Sequence, residues 1–372
     1  MRYKRISEFL QSRIDANDFP SAVYLVAEKG EIICQDALGF AVVEPETIEA
    51  KLDTIYDLAS LTKPLVTGLL CAKLIEKKEI NLNNKIKQFF PEFDTDEKRE
   101  ITIENLLVHN SGLVNWKPFY LITNFRFEIS NLIASEPLAN PIILTIIYSD
   151  LNFILLGFLL EKIYGKPLDD IANQEIFEPL NLKDTFFNPP KELQKRIAAS
   201  ERGNEYEKQT FIELGYEIPN PQSQIRNQQI WGEVHDGNAY FMNGVAGHAG
   251  LFSNVFDTFQ IAQQFLANQT KLLKPETCKL FRTNFTPNLN EARSIAFQLA
   301  ETKDSTASTA LAKDSFGHLG FTGTSLWIEP ETERIFILLT NRTHARELPF
   351  VNINSVRRKF HELATEILNA KS

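Results

Sequence analysis

The two ends of this chain carry one hydrophobic period and its middle another. Near the start, "SAVYLVAEKGEIICQDALGFA" sets β-branched and aromatic runs on either side of "EKGE", the pattern of a hairpin. Near the end, "RSIAFQLA", "GTSLWIEP" and "ERIFILLTNR" read as strands, and "NSVRRKFHELATEILNA" as an amphipathic closing helix. Between about residues 75 and 285 the period is mostly helical, as in "TIENLLVHNSGL", "TIIYSDLNFILLGFLLEKIYG", "PLDDIANQEIF" and "NVFDTFQIAQQFL", with a polar, irregular stretch over 200–245. Strands that bracket helices predict an α+β fold: one antiparallel sheet built from both termini, flanked by helices and carrying an inserted all-helical domain. The expected boundaries are 1–72 with 285–372 for a discontinuous sheet domain, and 73–284 for the mainly helical one. The low-complexity "TKDSTASTALAKDS" reads as a loop within the C-terminal strands.

Composition removes several classes of function. At 372 residues and 43% hydrophobic the chain has material for a large core. Its net charge of -9, with no basic run beyond short "KRI" and "VRRK" stretches, offers no phosphate-tracking surface, so nucleic acid is not an expected partner. Cys34, Cys71 and Cys278 lie far apart without C-x-x-C spacing, which predicts buried, reduced thiols and neither a disulfide framework nor a zinc site. The opening "MRYKRISEFLQSRIDANDFP" is interrupted by charge and reads as an amphipathic helix, not a secretory leader. No apolar run reaches the roughly 18–20 residues of a membrane span, and the expected location is the cytoplasm.

The chemistry begins at "DLASLTKPLVTGLL", where Ser60 stands three positions before Lys63 at the mouth of an apolar helix. A serine hydroxyl needs a base within hydrogen-bonding reach, and positions i and i+3 share a helix face. Lysine serves as that base only where burial or a neighbouring cation lowers its pKa. The alternative is an N-cap and a surface charge, and a chain of this length contains on the order of one S-x-x-K by chance. Further along, Leu65, Leu69 and Ala72 line one face of the helix, in which Gly68 costs roughly 1 kcal/mol against alanine and so predicts a close-packed neighbour. Two more elements follow in order: "YSD" at Tyr148–Asp150, opening an apolar helical run, and "GHLGFTG" at Gly317–Gly323, before a strand.

Together "SLTK", "YSD" and "HLG" resemble the three elements of the serine β-lactamase and penicillin-binding-protein superfamily, in its class C-like branch of esterases, D-amino-acid peptidases and β-lactamase-related proteins. "TIENLLVHNSGL", "FEPLNLKDTFF", "GVAGHAGLFSNVFD" and "LLTNR" are similar to the same branch, so the resemblance spans roughly residues 20–365. It implies a β-lactamase/transpeptidase-like fold with an active-site cleft between sheet domain and helical domain. By this resemblance Ser60 is the acyl-accepting nucleophile, Lys63 its partner, and Tyr148 the second general base and proton donor to the leaving group. The backbone N–H groups of Ser60 and Phe321 form the oxyanion hole, and Asp150, His318, Gly320 and His248 border the substrate.

Two positions depart from the family pattern. His318 stands where β-lactamases have a lysine, exchanging a permanent charge for a mostly neutral hydrogen-bonding ring and favouring an esterase or peptidase-like hydrolase over a carboxylate-recognising enzyme. Asp150 replaces the more familiar asparagine, either to hold the Lys63 ammonium or to cap the following helix.

Other tempting residues have plainer readings. Glu178 in "FEPLNL" reads as structural, His109 as a C-cap or a hydrogen-bonding support for the site, and His235, Asp236 and His248 as parts of tight loops that border the cleft, not a metal site. The expected activity is hydrolysis of small esters or peptide-like amides through an acyl-enzyme, without metal or cofactor. "VHDGNA" followed by "GVAGHAGLFS" resembles superfamily proteins linked to muropeptide recycling, which makes a muropeptide fragment a candidate substrate. The alternative class is a non-catalytic descendant that keeps the cleft as a ligand sensor or scaffold.

Overall fold

The computed structural model of the protein describes residues 4–122, 126–216 and 226–370. The chain starts with helix α1 (Lys4–Asp15) and enters a hairpin of β1 (Ser21–Glu28) and β2 (Glu31–Val42). The connection is "KG", where Lys29 and Gly30 have φ of 52° and 82°, the left-handed pair that matches the twist of a tight hairpin. Short strands β3 (Ile48–Glu49) and β4 (Tyr56–Asp57) lead to the Ser60 segment and helix α2 (Leu69–Lys77).

The middle of the chain supplies helices α3 (Ile103–Leu107), α4 (Phe119–Ile122), α5 (Ile129–Ser135), α6 (Asp150–Tyr164) and α7 (Leu168–Ala172), then strand β5 (Phe186–Phe187). Helices α8 (Glu205–Glu213) and α9 (Gly237–Phe241), strand β6 (Leu251–Ser253) and helix α10 (Val255–Ala262) complete it. The polar 200–245 stretch is thus less irregular than its composition suggests, because α8 anchors on buried Glu207 and Phe211; its residues 217–225 lie outside the described residues. The chain returns with β7 (Gln298–Leu299), β8 (Phe316–Leu319), β9 (Ser325–Glu329), β10 (Arg334–Thr340) and the closing helix α11 (Asn354–Asn369).

Within the described residues, seven strands form one antiparallel sheet in the order β3-β2-β1-β10-β9-β8-β7. The N-terminal hairpin meets the C-terminal strands where β1 pairs with β10, with Leu25 opposite Ile337. Both central strands are buried along nearly their whole length, which is why they read as continuous apolar runs. Alternation still decides the faces. Tyr24, Val26, Trp327, Phe336 and Leu338 pack beneath α1 and α11, against Ile6, Leu10, Phe360 and Leu363. Val23, Leu25, Leu326, Ile328, Ile335 and Ile337 face the larger core that includes α2, α6 and α10. A second, three-stranded sheet, β4-β6-β5, sits next to the Ser60 segment. Asn341, just past β10, ties the joint: its Oδ1 accepts from Ser21 Oγ at 2.7 Å and its Nδ2 donates to Ala41 O at 2.9 Å.

Candidate active site

Ser60 is placed by a strained turn. Ala59 has φ of 49°, a left-handed conformation that an alanine adopts at a cost of about 1–2 kcal/mol. Asp57 Oδ1 accepts the Ala59 N–H at 2.8 Å and Thr62 Oγ1 donates to Ala59 O at 2.7 Å, so both polar groups of the strained residue are held. The other carboxylate oxygen of Asp57 accepts the His235 N–H at 2.7 Å. Ser60 is the middle residue of a short 3-10 turn, Ala59–Leu61, and Lys63 begins one wide π-type turn that passes into α2. A Cβ on Gly68 would lie 2.5 Å from Ala296 Cβ, so the close-packed neighbour expected there is present.

Lys63 is fully buried. Its Nζ donates to Ser60 Oγ at 2.9 Å and to His248 O at 3.1 Å, and forms an ion pair with Asp150 Oδ1 at 2.7 Å. Asp150 is the first residue of α6, and the Ser149 before it makes no side-chain cap. Of the two roles open to Asp150, the structure therefore shows the one that holds the ammonium.

Tyr148 lies over the same group, with Lys63 Nζ 5.0 Å from its ring centroid. His109 supports the ring from behind at 4.6 Å between centroids, and its Nδ1 accepts the Ser149 N–H at 3.0 Å. That acceptor role fixes His109 as a neutral ring, and burial with nearby Arg293 and Lys63 pulls its pKa well below the usual histidine range.

The protonation state differs from the one a lysine base requires. Burial pushes the Lys63 ammonium toward neutrality, but the Asp150 carboxylate and the Tyr148 phenol outweigh it and raise the pKa above the ordinary lysine value. Burial raises the Tyr148 phenol, and Lys63 offsets this only in part. The resting site near pH 7 thus holds a charged Lys63 and a neutral Tyr148. Charge pairing beats desolvation here because the anion is in direct contact.

The third element closes the site from the sheet side. "GHL" ends β8, and Gly320–Thr324 form the turn into β9. Thr322 Oγ1 donates to Asp57 O at 2.7 Å and Thr324 Oγ1 to Leu58 O at 2.9 Å, stapling this turn to the residues before Ser60. The turn that contains Phe321 is thereby fixed against Asp57 and Leu58. Gly320 is required by the contact: a Cβ there would lie 2.0 Å from Thr324 Oγ1 and 2.6 Å from Leu58 O. Phe321 itself packs between Tyr206 and His235, at 4.6 Å and 5.3 Å between ring centroids, under Arg342.

His318 is buried, its Nδ1 is 2.9 Å from Leu319 O, and its ring is 5.7 Å from that of Tyr148. Burial and the cations Lys63 and Arg293 pull its pKa well below the usual range, so it is a neutral ring. Ser60, Tyr148, Asp150, His318, Gly320 and Phe321 all line one cleft of about 760 Å³. Lys63 and His248 are buried and are not among its lining residues; His248 meets the site only through its carbonyl, which accepts from Lys63 Nζ at 3.1 Å.

Several lining residues carry no motif. Arg293 stands 5.5 Å from the Tyr148 ring centroid, and Arg357 reaches the cleft from α11; neither belongs to a spacing that sequence reasoning inspects. Glu207 of α8 and Trp116 also line it. Glu178 is exposed and lies outside the cleft lining, and Trp327 is core, donating from Nε1 to Thr306 Oγ1 at 3.0 Å. The three cysteines are buried and unbridged.

The acidic and imidazole groups of Asp150, Asp236 and His248 converge within 4.8 Å of one another. Their charges are met inside the protein, Asp150 by Lys63 and Asp236 by His248 Nε2 at 3.0 Å. Such a set resembles a cation site in donor type, with the Lys63 ammonium as its cation. His235 likewise pairs with Glu201 at 2.7 Å, which outweighs burial and raises its pKa. Among the described residues no helix is long and apolar enough to cross a membrane.

Comparison with known proteins identifies the family and the fold. The family model described as Beta-lactamase matches residues 6–355. A putative D-alanyl-D-alanine carboxypeptidase of Escherichia coli K12 is 30% identical, over 92% of this chain and 83% of that protein. An N-acetylmuramyl-L-alanine amidase of Bacillus subtilis 168 is 29% identical, over 92% and 81%. Among solved structures, EstCE1, a hydrolase with promiscuous acyltransferase activity, superposes with a TM-score of 0.74 at 20% identity, covering 96% of this chain and 98% of that one. A class C beta-lactamase from Rhodobacter sphaeroides gives 0.72 at 16% identity, over 98% and 99%. The expected α+β, transpeptidase-like fold is therefore the fold found. With the Ser60 of its Ser-x-x-Lys lining the cleft and a family match over nearly its whole length, the chain is a serine hydrolase of the beta-lactamase family.

Proposed function

We propose that the protein hydrolyses small esters and peptide-like amides through an acyl-enzyme on Ser60, and that its natural substrate is a muropeptide fragment. The observation that carries the proposal is the contact set Ser60 Oγ to Lys63 Nζ at 2.9 Å and Lys63 Nζ to Asp150 Oδ1 at 2.7 Å, under the Tyr148 ring. The names of the two relatives, a putative D-alanyl-D-alanine carboxypeptidase and an N-acetylmuramyl-L-alanine amidase, support the substrate class.

Lys63 and Tyr148 titrate as one unit, because they share a buried contact. Loss of one proton from that unit leaves a base that takes the Ser60 proton as Oγ attacks the carbonyl carbon. The N–H groups of Ser60 and Phe321 stabilise the oxyanion, and Tyr148 returns the proton to the departing nitrogen or oxygen. Water then attacks the acyl-enzyme by the same path in reverse. The supporting frame is a sheet domain of residues 1–72 and 285–372 set against a mainly helical one of 73–284, with Ser60 and the β8–β9 turn on one wall and Tyr148 on the other.

The test is intact-mass spectrometry after exposure to a fluorophosphonate, followed by assay against N-acetylmuramyl-L-alanine and D-alanyl-D-alanine peptides. A single adduct that disappears in Ser60→Ala, with turnover lowered more than about a thousandfold, is the expected result. A folded protein that takes no adduct overturns the proposal in favour of a ligand sensor or scaffold.

A further inference from the structure

Asp57 touches three separate segments of the chain. Its Oδ1 accepts the Ala59 N–H at 2.8 Å, its Oδ2 accepts the His235 N–H at 2.7 Å, and its main-chain oxygen accepts Thr322 Oγ1 at 2.7 Å. One residue thus joins the turn that carries Ser60, the "VHD" loop and the β8–β9 turn.

The first contact governs the direction of the Ser60 N–H. The Ala59 carbonyl and the Ser60 N–H belong to one planar trans peptide and point opposite ways, so a hold on that carbonyl is a hold on that N–H. Thr62 Oγ1 grips the carbonyl at 2.7 Å, and the Asp57 carboxylate keeps the N–H of Ala59 at a φ of 49°. Alanine does not favour this left-handed conformation unaided. With an ordinary negative φ the peptide plane would turn and carry the Ser60 N–H with it.

The second contact is an anchor. His235 is 4% exposed and is held from several sides: Nε2 lies 2.7 Å from Glu201 Oε2, and its carbonyl accepts from Arg226 Nη2 at 2.6 Å and from Asn204 Nδ2 at 3.3 Å. Its ring is stacked on that of Phe321, 5.3 Å between centroids and 23° between planes.

Charge is not what Asp57 contributes. Both side-chain oxygens accept N–H groups and neither donates, the hydrogen-bonding state of a carboxylate. Burial pushes its pKa up, and the His235 and Ala59 N–H groups offset this only in part, so the anion is held at a cost. A negative charge close to a developing oxyanion also opposes the reaction.

We propose that Asp57 is the positioning residue of the oxyanion hole: against the anchored His235 it aims the Ser60 N–H through Ala59, and through its own carbonyl it holds the turn that bears Phe321. The inference rests on the acyl-enzyme reading and gives the "VHD" loop a part in it.

The probes are p-nitrophenyl acetate and its thionoester, in which sulfur replaces the carbonyl oxygen. With either ester Ser60 Oγ bonds the carbonyl carbon, its proton goes to the Lys63–Tyr148 unit, and the bond to nitrophenolate breaks. The two differ only in the atom that enters the oxyanion hole. Sulfur is larger and a weaker acceptor, so a pair of aimed N–H groups favours the oxygen ester, by about tenfold or more in kcat/KM for the wild type.

Asp57→Asn keeps one accepting oxygen, and its NH2 group meets one of the two N–H donors. It is expected to lower kcat/KM for the oxygen ester by about a hundredfold and to bring the preference for oxygen close to one. A merely structural loss lowers both esters alike and leaves the preference in place. Ala59→Gly added to Asp57→Asn is expected to restore the preference severalfold, because glycine takes the left-handed φ without help. Thr322→Val removes the third contact and is expected to reduce the preference severalfold; it carries the test should Asp57→Asn fail to fold.

A preference near one in the wild type, or one that is unchanged in the folded variants, overturns the positioning role and leaves the hydrolase reading intact. A folded double variant that recovers nothing shows that Asp57 does not act through Ala59, and overturns it as well. Absence of any Ser60-dependent nitrophenolate release from either ester overturns both readings.

Discussion

The carboxylate of Asp150 lies 2.7 Å from the ammonium of Lys63, and the same ammonium donates to Ser60 Oγ at 2.9 Å. One anion therefore controls the proton inventory of the nucleophile. It raises the pKa of Lys63 by direct pairing, and it adds to the burial that raises Tyr148. Since the base must be deprotonated, the acid limb of kcat/KM is expected above neutral pH. Removing the anion makes deprotonation easier, so Asp150→Asn is expected to move that limb to lower pH while reducing the plateau through lost positioning of Lys63. A pH–rate profile on p-nitrophenyl acetate checks this, and a limb that stays in place shows that Asp150 has no electrostatic hold on the base.

Gly320 separates His318 from the amide of Phe321 and leaves no space for a methyl group. In Gly320→Ala the new Cβ meets Leu58 O and Thr324 Oγ1, and relief requires the turn to move away from the Ser60 segment. We expect a stability loss of about 1–3 kcal/mol and a larger effect on acylation than on substrate binding. Denaturant unfolding together with stopped-flow acylation measures the two separately.

Arg357 supports the same turn from behind. Its Nη2 donates to Gly320 O and to Thr324 O, both at 2.9 Å, and Nη1 donates to Asn354 Oδ1 at 2.9 Å. Burial pulls its pKa down to about 9, which still leaves it charged at neutral pH. Arg357→Met strands two buried carbonyls and is expected to cost about 3 kcal/mol. Activity measured well below the melting temperature is expected to fall as well, because the Phe321 amide loses its support.

Glu207, from α8, accepts from Gly237 N at 2.8 Å and from the Tyr120 hydroxyl at 2.6 Å. Burial, with the neighbouring charge of Asp236, pushes its carboxyl up to about 7 from the usual 4.5. The unfolded chain thus gives up this proton first as pH rises. On this group's account stability is complete below about pH 4.5 and declines between there and about pH 7. Glu207→Gln removes the titration, so the melting temperature of the variant relative to wild type is expected to climb from pH 5 to pH 8. A difference that does not change with pH would sink this reading.

Much of the molecule is legible from short-range pattern. The β-branched and aromatic runs in "SAVYLVAE" and "RIFILLT" and the "EKG" turn announce strands, and such runs at opposite ends of the chain announce one sheet. Ser60, Lys63, Tyr148 and the glycine at 320 are visible because their chemistry lives in triplets, whose spacing survives where the surrounding sequence drifts.

What the triplets leave open is decided by contacts between distant segments. Ser-x-x-Lys says that a lysine is near a serine; only the fold brings Asp150 to that lysine and reverses its expected charge state. The His318 substitution suggests a cleft without a fixed cation, yet Arg293, from a loop with no motif, restores one beside Tyr148. The positive φ of Ala59 is invisible in "DLAS", because alanine carries no signal for a left-handed turn that Asp57 and Thr62 impose from either side. By itself the sequence determined the strand and helix patterns and the identity of the candidate reacting groups, since both are local properties of side chains. The tertiary structure alone decided which protons those groups hold, because a pKa is set by burial and by charges that meet only once the chain has folded.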